Sequence, residues 1–236
     1  MGFINQFRIC NQNRFFKNER CTTSKVKKFD AHCIFAKPRN YRLNPVQNMH
    51  DLEPHFAWLN QYSAAEDERS PFYQREYNEF YFDKTVYNYL IHPQWDHFGS
   101  NTLYIKILFA DYQDKFAIIE MIGEWNDALY NDIMTLKREV LELMMAEGIN
   151  KFIVLGENVM NFHASDDSYY EEWFQDVEDG WIAMINFRDH VIDEFRQYRI
   201  DYYLNFGGQL NELLWRKMGP RQLFNFIDDI LSRRLQ

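Results

Sequence analysis

The stretch Thr102-Leu103-Tyr104-Ile105-Lys106-Ile107-Leu108-Phe109-Ala110, then Asp111-Tyr112-Gln113-Asp114, then Lys115-Phe116-Ala117-Ile118-Ile119-Glu120-Met121-Ile122 decides how this chain is read. Two runs rich in β-branched and aromatic residues flank a four-residue polar turn, the pattern of a hairpin. The second run is nearly continuous in apolar residues, as a strand buried on both faces would be. Gly123 is read as its end.

Beyond it the pattern alternates. Leu129, Ile133, Leu136, Val140, Leu143 and Met144 form one stripe of an amphipathic helix ending near Gly148. Lys151–Leu155 reads as a short buried strand stopped by Gly156. Ser168-Tyr169-Tyr170-Glu171 has capping-box form and opens a brief helix to about Val177. Trp181 to Tyr198 reads as a second long helix, Asp201–Phe206 as a third buried strand ending at Gly207-Gly208, and the stretch after Pro220 as a last helix. Alternating strands and helices imply crossovers and a parallel core. The expected fold is therefore α/β: a mixed sheet of about five strands, with an N-terminal antiparallel hairpin, a parallel core and helices packed on it.

On the other side of the hairpin, residues 49–78 read as a short helix (Leu52, Phe56, Leu59) and a polar connector stopped by Ser70-Pro71. Thr85–Ile91 reads as a strand. The aromatic cluster from Phe72 to Phe98 has few interleaved Lys and Arg, so it fits a core or a protein interface better than base stacking. Residues 79–236 then form a single α/β domain.

Charge is unevenly spread. The 236 residues carry a net −9, but residues 1–48 hold ten Lys and Arg against Glu19 and Asp30, so the remainder stands at −17. Cys10, Cys21 and Cys33 all lie in this basic leader, which lacks sustained periodicity. Three readings stay open for it: an arm for nucleic acid or acidic lipid, an organelle presequence, or translated sequence upstream of Met49. The acidic body repels phosphate backbones, so nucleic acid is not expected on its main surface. No run of 18 apolar residues occurs, and neither a membrane span nor a secretory signal is expected. A cysteine-free body suits a reducing, cytoplasmic compartment.

In open α/β sheets ligands gather beyond the carboxyl ends of parallel strands. Here those ends carry Glu124, Asp127, Glu157, Asn158 and Gly207, and with His163, Asp166 and Asp167 they make up the candidate pocket. The competing reading is structural: glycines ending strands, and Asn126 or Asp127 capping a helix. His163, Asp166 and Asp167 match no metal-loop spacing and fit a charged helix start, so no metal is expected. Neither a dinucleotide nor a nucleoside-triphosphate glycine motif occurs, and no cofactor is expected. Gly-x-Ser-x-Gly is also absent, and no nucleophile is identified.

Ile122-Gly123-Glu124-Trp125, the helix that follows, Gly148–Leu155 and Asn161-Phe162-His163-Ala164-Ser165-Asp166-Asp167-Ser168 together resemble the layout of STAS (anti-sigma-factor antagonist) domains over residues 116–208. The resemblance implies a regulatory serine, Ser165 or Ser168, and a surface that binds a protein partner. The glycine that follows the serine in that family is missing, and the acidic stretch Tyr169 to Gly180 intervenes. The body as a whole also resembles bacterial proteins of unassigned function. The leading expectation is a cytoplasmic interaction or regulatory module that engages its partner through the acidic Asp166–Asp179 segment and neighbouring aromatics. The alternative is a small-molecule enzyme with carboxylates at the strand ends, working with or without the assistance of a divalent cation.

Overall fold

A computed structural model describes residues 53–78 and 80–234, which belong to one compact unit, Asn44–Gln236. The basic leader, its cysteines and Leu52 lie outside the described residues. The hairpin is present: β3 (Leu103–Asp111) pairs antiparallel with β4 (Phe116–Asn126), and Asp111 Oδ1 accepts from the backbone N–H groups of Gln113 and Asp114 to hold the turn. β5 (Lys151–His163) and β6 (Trp181–Ile185) add in parallel, giving one four-stranded mixed sheet in the order β3-β4-β5-β6.

Each strand buries both faces, for the reason its composition implied. Leu103, Ile105, Ile119, Met121, Phe152, Val154, Ile182 and Met184 pack under the crossover helices, whereas Phe116, Ile118, Ile153, Leu155, Ala183 and Ile185 pack under the C-terminal helix. The crossover face carries α1 (Asp127–Tyr130), α2 (Asp132–Leu136), a π turn (Lys137–Leu141), α3 (Glu142–Ala146), α4 (Ser168–Asp176) and α5 (Asp189–Gln197). The opposite face carries α6 (Pro220–Arg234), which buries Leu223, Phe224, Ile227, Ile230 and Leu231 along one stripe. Phe224 stacks on Phe116 with ring centres 4.1 Å apart. Each such side chain contributes about 1.5–3 kcal/mol by leaving water.

Five expectations are corrected. The stretch Trp181 to Tyr198 is not one helix: Trp181-Ile182-Ala183-Met184-Ile185 is β6, and the helix starts only at Asp189. A five-residue apolar run bounded by Gly180 and Asn186 fits a buried parallel strand as well as a helix, and the sheet decides. Asp201–Phe206 is not a strand. It holds a 3-10 turn, Ile200–Tyr202, and touches the sheet through a single bridge from Asn205 to Ala183. Asn205 thereby covers the β6 edge, exchanging backbone hydrogen bonds with Ile182 and Met184. Tyr203 accordingly does not share a sheet with Ile118 and Ile153, which are direct neighbours.

The long amphipathic helix is broken at Asn131, whose φ of 51° separates α1 from α2. The π turn that follows inserts a residue, which turns Leu141 inward and leaves Leu143 exposed. The helix expected near Phe56 is a 3-10 turn, Phe56–Trp58, followed by further turns. Thr85–Ile91 is a tight two-stranded hairpin, β1 (Thr85–Val86) and β2 (Tyr89–Leu90), reversed at Tyr87-Asn88, both with positive φ. It stands apart from the main sheet, which has four strands.

Candidate functional site

Neither Gly123 nor Gly156 ends its strand. β4 runs on to Asn126 and β5 to His163, with bulges in their pairing. Gly123 has a φ of +123°, and a Cβ there would lie 2.1 Å from the Thr102 carbonyl oxygen; at Gly156 a Cβ would meet the Phe187 ring at 2.3 Å. Both glycines therefore admit a close neighbour in mid-strand. As a consequence, Glu124, Glu157, Asn158 and His163 are strand residues and not loop residues beyond the strand ends.

The structure divides the candidate pocket into separate groups. Glu124 and His163 meet at the far end of β4 and β5, with Nε2 2.7 Å from Oε1. Tyr87 approaches the same end, its hydroxyl accepting from Asn161 Nδ2 at 2.6 Å. Glu157 points elsewhere: Oε1 accepts from Asn186 Nδ2 and Trp215 Nε1, each at 2.7 Å, and Oε2 from Arg216 Nη2 at 2.9 Å. Asn158 follows it on β5, its Nδ2 buried without a hydrogen-bond partner among the described residues.

Asp127 is buried beneath the crossover helices. Oδ1 accepts from Trp125 Nε1 and the Ile133 N–H, and Oδ2 from the Tyr170 hydroxyl at 2.6 Å. Burial pushes its carboxyl up to about 7. It joins α1 to α2. Gly207 lies in the loop beside β6, its N–H donating to Asn211 Oδ1. The expected common rim is thus replaced by three local networks.

Asp166 and Asp167 precede α4. Asp166 Oδ1 accepts from both the backbone N–H and the hydroxyl of Ser168, which lowers its pKa. Ser165 and Ser168 are both exposed. Further along α4, Glu172 and Asp176 stand with Glu142 around the buried ammonium of Lys137, at 3.3, 2.7 and 2.9 Å. Arg138 also bonds Glu142 and Glu172. These three carboxylates lie close enough to share a cation, and Lys137 occupies that position. Part of the acidic segment is neutralised from within.

Two buried charges, Lys106 and Glu120, are not among the sequence candidates. Lys106 and Glu120 stand opposite each other on β3 and β4, on the α6 face of the sheet, each flanked along its strand by apolar residues. Glu120 is 2% exposed; Oε2 accepts the His55 N–H at 2.8 Å and Oε1 accepts Arg216 Nη2 at 3.2 Å. Burial raises its carboxyl to about 7, against the lowering pull of Arg216. The His55 ring is wedged edge-on between Trp58 and Trp215, and burial followed by the charge of Arg216 lowers its pKa. Lys106 turns the other way, to the fully buried Asp96, which also accepts from Arg75 and the Tyr77 hydroxyl. A lone charge within an apolar strand run is the sequence signal that marks both, since such residues are almost never fully buried unless paired.

The outer surface holds one concentration of apolar side chains. Phe80, Tyr81, Tyr87, Tyr89 and Leu90 are all exposed, with Phe80 at 89% and Tyr81 at 74%. Beneath them Val86 and Ile91 pack with Trp95, Tyr104 and Ile122. The aromatic cluster from Phe72 to Phe98 is therefore divided between core and surface.

Fold and site together define a mixed α/β domain with a charged belt across one sheet face and an aromatic hairpin standing on it. No protein-family model matches the chain, and no curated protein matches its sequence. Among the described residues no helix is long and apolar enough to cross a membrane.

Proposed function

We propose that this domain is a protein-interaction or regulatory module, and that it engages its partner through the aromatic hairpin around Tyr87–Leu90. The observation that carries the reading is the density of exposed apolar side chains between Phe80 and Leu90. Contiguous exposed apolar surface is uncommon on soluble monomers and is enriched at interfaces, where Tyr and Phe supply most of the contact energy. The hairpin is held from below by Val86 and Ile91, so its outward side chains are presented on a fixed base. Ser165 and Ser168 are the proposed regulatory serines of a STAS-like layout. A phosphate there would add negative charge beside Asp166 and Asp167 and favour an Arg-rich partner. A cytoplasmic location remains part of this proposal.

The test places a photo-crosslinking amino acid at Tyr89 and, as a control, at Leu143 on the opposite sheet face, in the full chain within its own cell. One partner crosslinked from Tyr89 and not from Leu143, and lost when Tyr89 and Leu90 are both changed to Ser, supports the reading. Equal crosslinking from both sites, or an undiminished complex in the double variant, defeats it.

A second reading, a small-molecule enzyme working at the strand ends, draws on the 2.7 Å contact between His163 and Glu124. A carboxylate that orients an imidazole is half of a general acid–base set. It would be favoured by a turnover that His163→Gln abolishes and Tyr89→Ser leaves intact.

A further inference from the structure

A cleft of about 330 Å³ opens between the 54–66 segment and β3. Phe56, Leu59 and Tyr62 line one wall, and Tyr77, Lys106 and Leu108 the other. The volume is at the lower end of what small ligands occupy, and the lining mixes aromatic and aliphatic side chains with the polar groups of His55, Ser63, Glu66, Gln94 and Lys106.

The charge balance around Lys106 is unusual for this protein. Arg75 and Lys106 both bond Asp96, and Lys84 beside them donates to the carbonyls of Pro93 and Trp95. Three cations therefore gather around one fully buried carboxylate. Other carboxylates of this region are bonded elsewhere or exposed: Asp67 accepts from the Tyr62 hydroxyl, and Glu76, beside Arg75, is exposed. Glu120, opposite Lys106 on β4, is bonded to Arg216, and Asp83 beside Lys84 is exposed. The one carboxylate on the cleft lining, Glu66, is also exposed. The Lys106 ammonium lies 3.2 Å from Asp96 and 3.8 Å from the centre of the Tyr77 ring, and both Lys106 and Tyr77 line the cleft. Lys106 puts a positive charge on the cleft wall of a body whose net charge is strongly negative, and that charge favours an anion where the cleft admits one.

We propose that this cleft binds a small organic anion, with Lys106 holding its carboxylate or phosphate head and the aromatic walls taking its body. The aromatic and aliphatic part of the lining favours a body as well as a charge, since an inorganic ion would leave Phe56, Leu59 and Leu108 facing water. The residues involved differ from those of the hairpin surface, so the two proposals stand or fall separately.

The test is an amide chemical-shift titration of the ¹⁵N-labelled full chain with four probes: benzoate, phenyl phosphate, inorganic phosphate and benzyl alcohol. Saturable shifts in the amides of residues 55–59 and 106–108 are expected with benzoate or phenyl phosphate. Whichever binds more tightly identifies the head group. Benzyl alcohol, which lacks the charge, should bind about tenfold more weakly or worse, the usual difference for a charged hydrogen bond. Lys106→Met should lose about as much and Lys106→Arg should retain binding. Ala65→Trp fills the cleft from its wall and leaves every charge in place, so it tests the site even where Lys106→Met fails to fold. It should abolish binding with an unchanged thermal melt. The proposal is overturned by no saturable shift at these amides with any probe, or by equal binding of benzyl alcohol. Unchanged affinity in Ala65→Trp, or inorganic phosphate binding as tightly as phenyl phosphate, would overturn it too.

Discussion

Lys106 and Glu120 face each other across β3 and β4, yet each charge is satisfied by a different part of the chain. Lys106 goes to Asp96, at 3.2 Å, and Glu120 goes to Arg216, also at 3.2 Å. The sheet is thereby tied on one side to the loop before β3 and on the other to the segment before α6. Arg216 extends the tie to β5 through Glu157.

Removing Arg216 should destabilise the domain more than removing Glu120. Arg216→Met leaves Glu120 buried with only the His55 N–H. Breaking a buried pair from one side costs roughly 3–5 kcal/mol, and the partial exposure of Arg216 reduces this to about 1–3 kcal/mol. Adding Glu120→Met to Arg216→Met should recover part of the loss. Urea denaturation of the four variants in that cycle measures it, and a double variant no more stable than Arg216→Met alone would contradict the pairing.

Stability should fall as pH rises from about 4.5 to about 7. Glu120 is raised from 4.5 to about 7 and Asp127 from 3.8 to about 7, both chiefly by burial. Over that window the folded state binds these protons more tightly than the unfolded chain does. Each group therefore contributes stability at low pH that is lost as pH passes through its folded-state value. For Glu120 the effect is on the order of 2–3 kcal/mol. Glu120→Gln should flatten the profile of unfolding free energy between pH 5 and 8, whatever its effect on absolute stability. An unchanged slope would show that Glu120 titrates near its ordinary value.

Lys137→Ala should convert a closed charge cluster into an open one. The ammonium holds Glu142, Glu172 and Asp176 together. Its removal leaves Asp176 without its cation and Glu142 and Glu172 held by Arg138 alone, costing about 1–3 kcal/mol given their partial exposure. Millimolar Ca²⁺ should raise the melting temperature of this variant and leave that of the parent protein unchanged, because only the variant has room for an ion. Calorimetry with and without Ca²⁺ distinguishes the outcomes.

The two mid-strand glycines should respond differently to alanine. In Gly156→Ala the new methyl group meets the Phe187 ring, a side chain that can be cut back. Overpacking there costs about 1–3 kcal/mol, and Phe187→Leu should restore much of it. In Gly123→Ala the obstacle is the Thr102 carbonyl, and the backbone is already at φ +123°. No side-chain substitution relieves that, so the loss should exceed that of Gly156→Ala and resist rescue. Melting temperatures of the four variants settle the comparison.

Much of the framework was legible in the sequence because it rests on local pattern. The β3–β4 hairpin, the parallel addition of β5, the brief helix after Ser168 and the proline-initiated α6 all follow from residue spacing within a dozen positions. Where the pattern was ambiguous, the errors were of one kind. Trp181–Ile185 satisfies helix and strand equally until a neighbouring strand supplies its hydrogen bonds, and Asp201–Phe206 looks like a strand yet finds only one bridge at the sheet edge.

The site was less legible, because charge partners are chosen by folding. Glu157 and Glu124 were picked out as strand-end carboxylates, but their true partners, Arg216 and His163, are 59 and 39 residues away, and Glu120 is 96 residues from Arg216. By itself the sequence determined which segments must leave water and with what period, since apolar burial depends on composition and spacing alone. Only the tertiary structure decided which buried charge answers which, because an ion pair depends on a distance of a few ångströms between residues that the chain order leaves far apart.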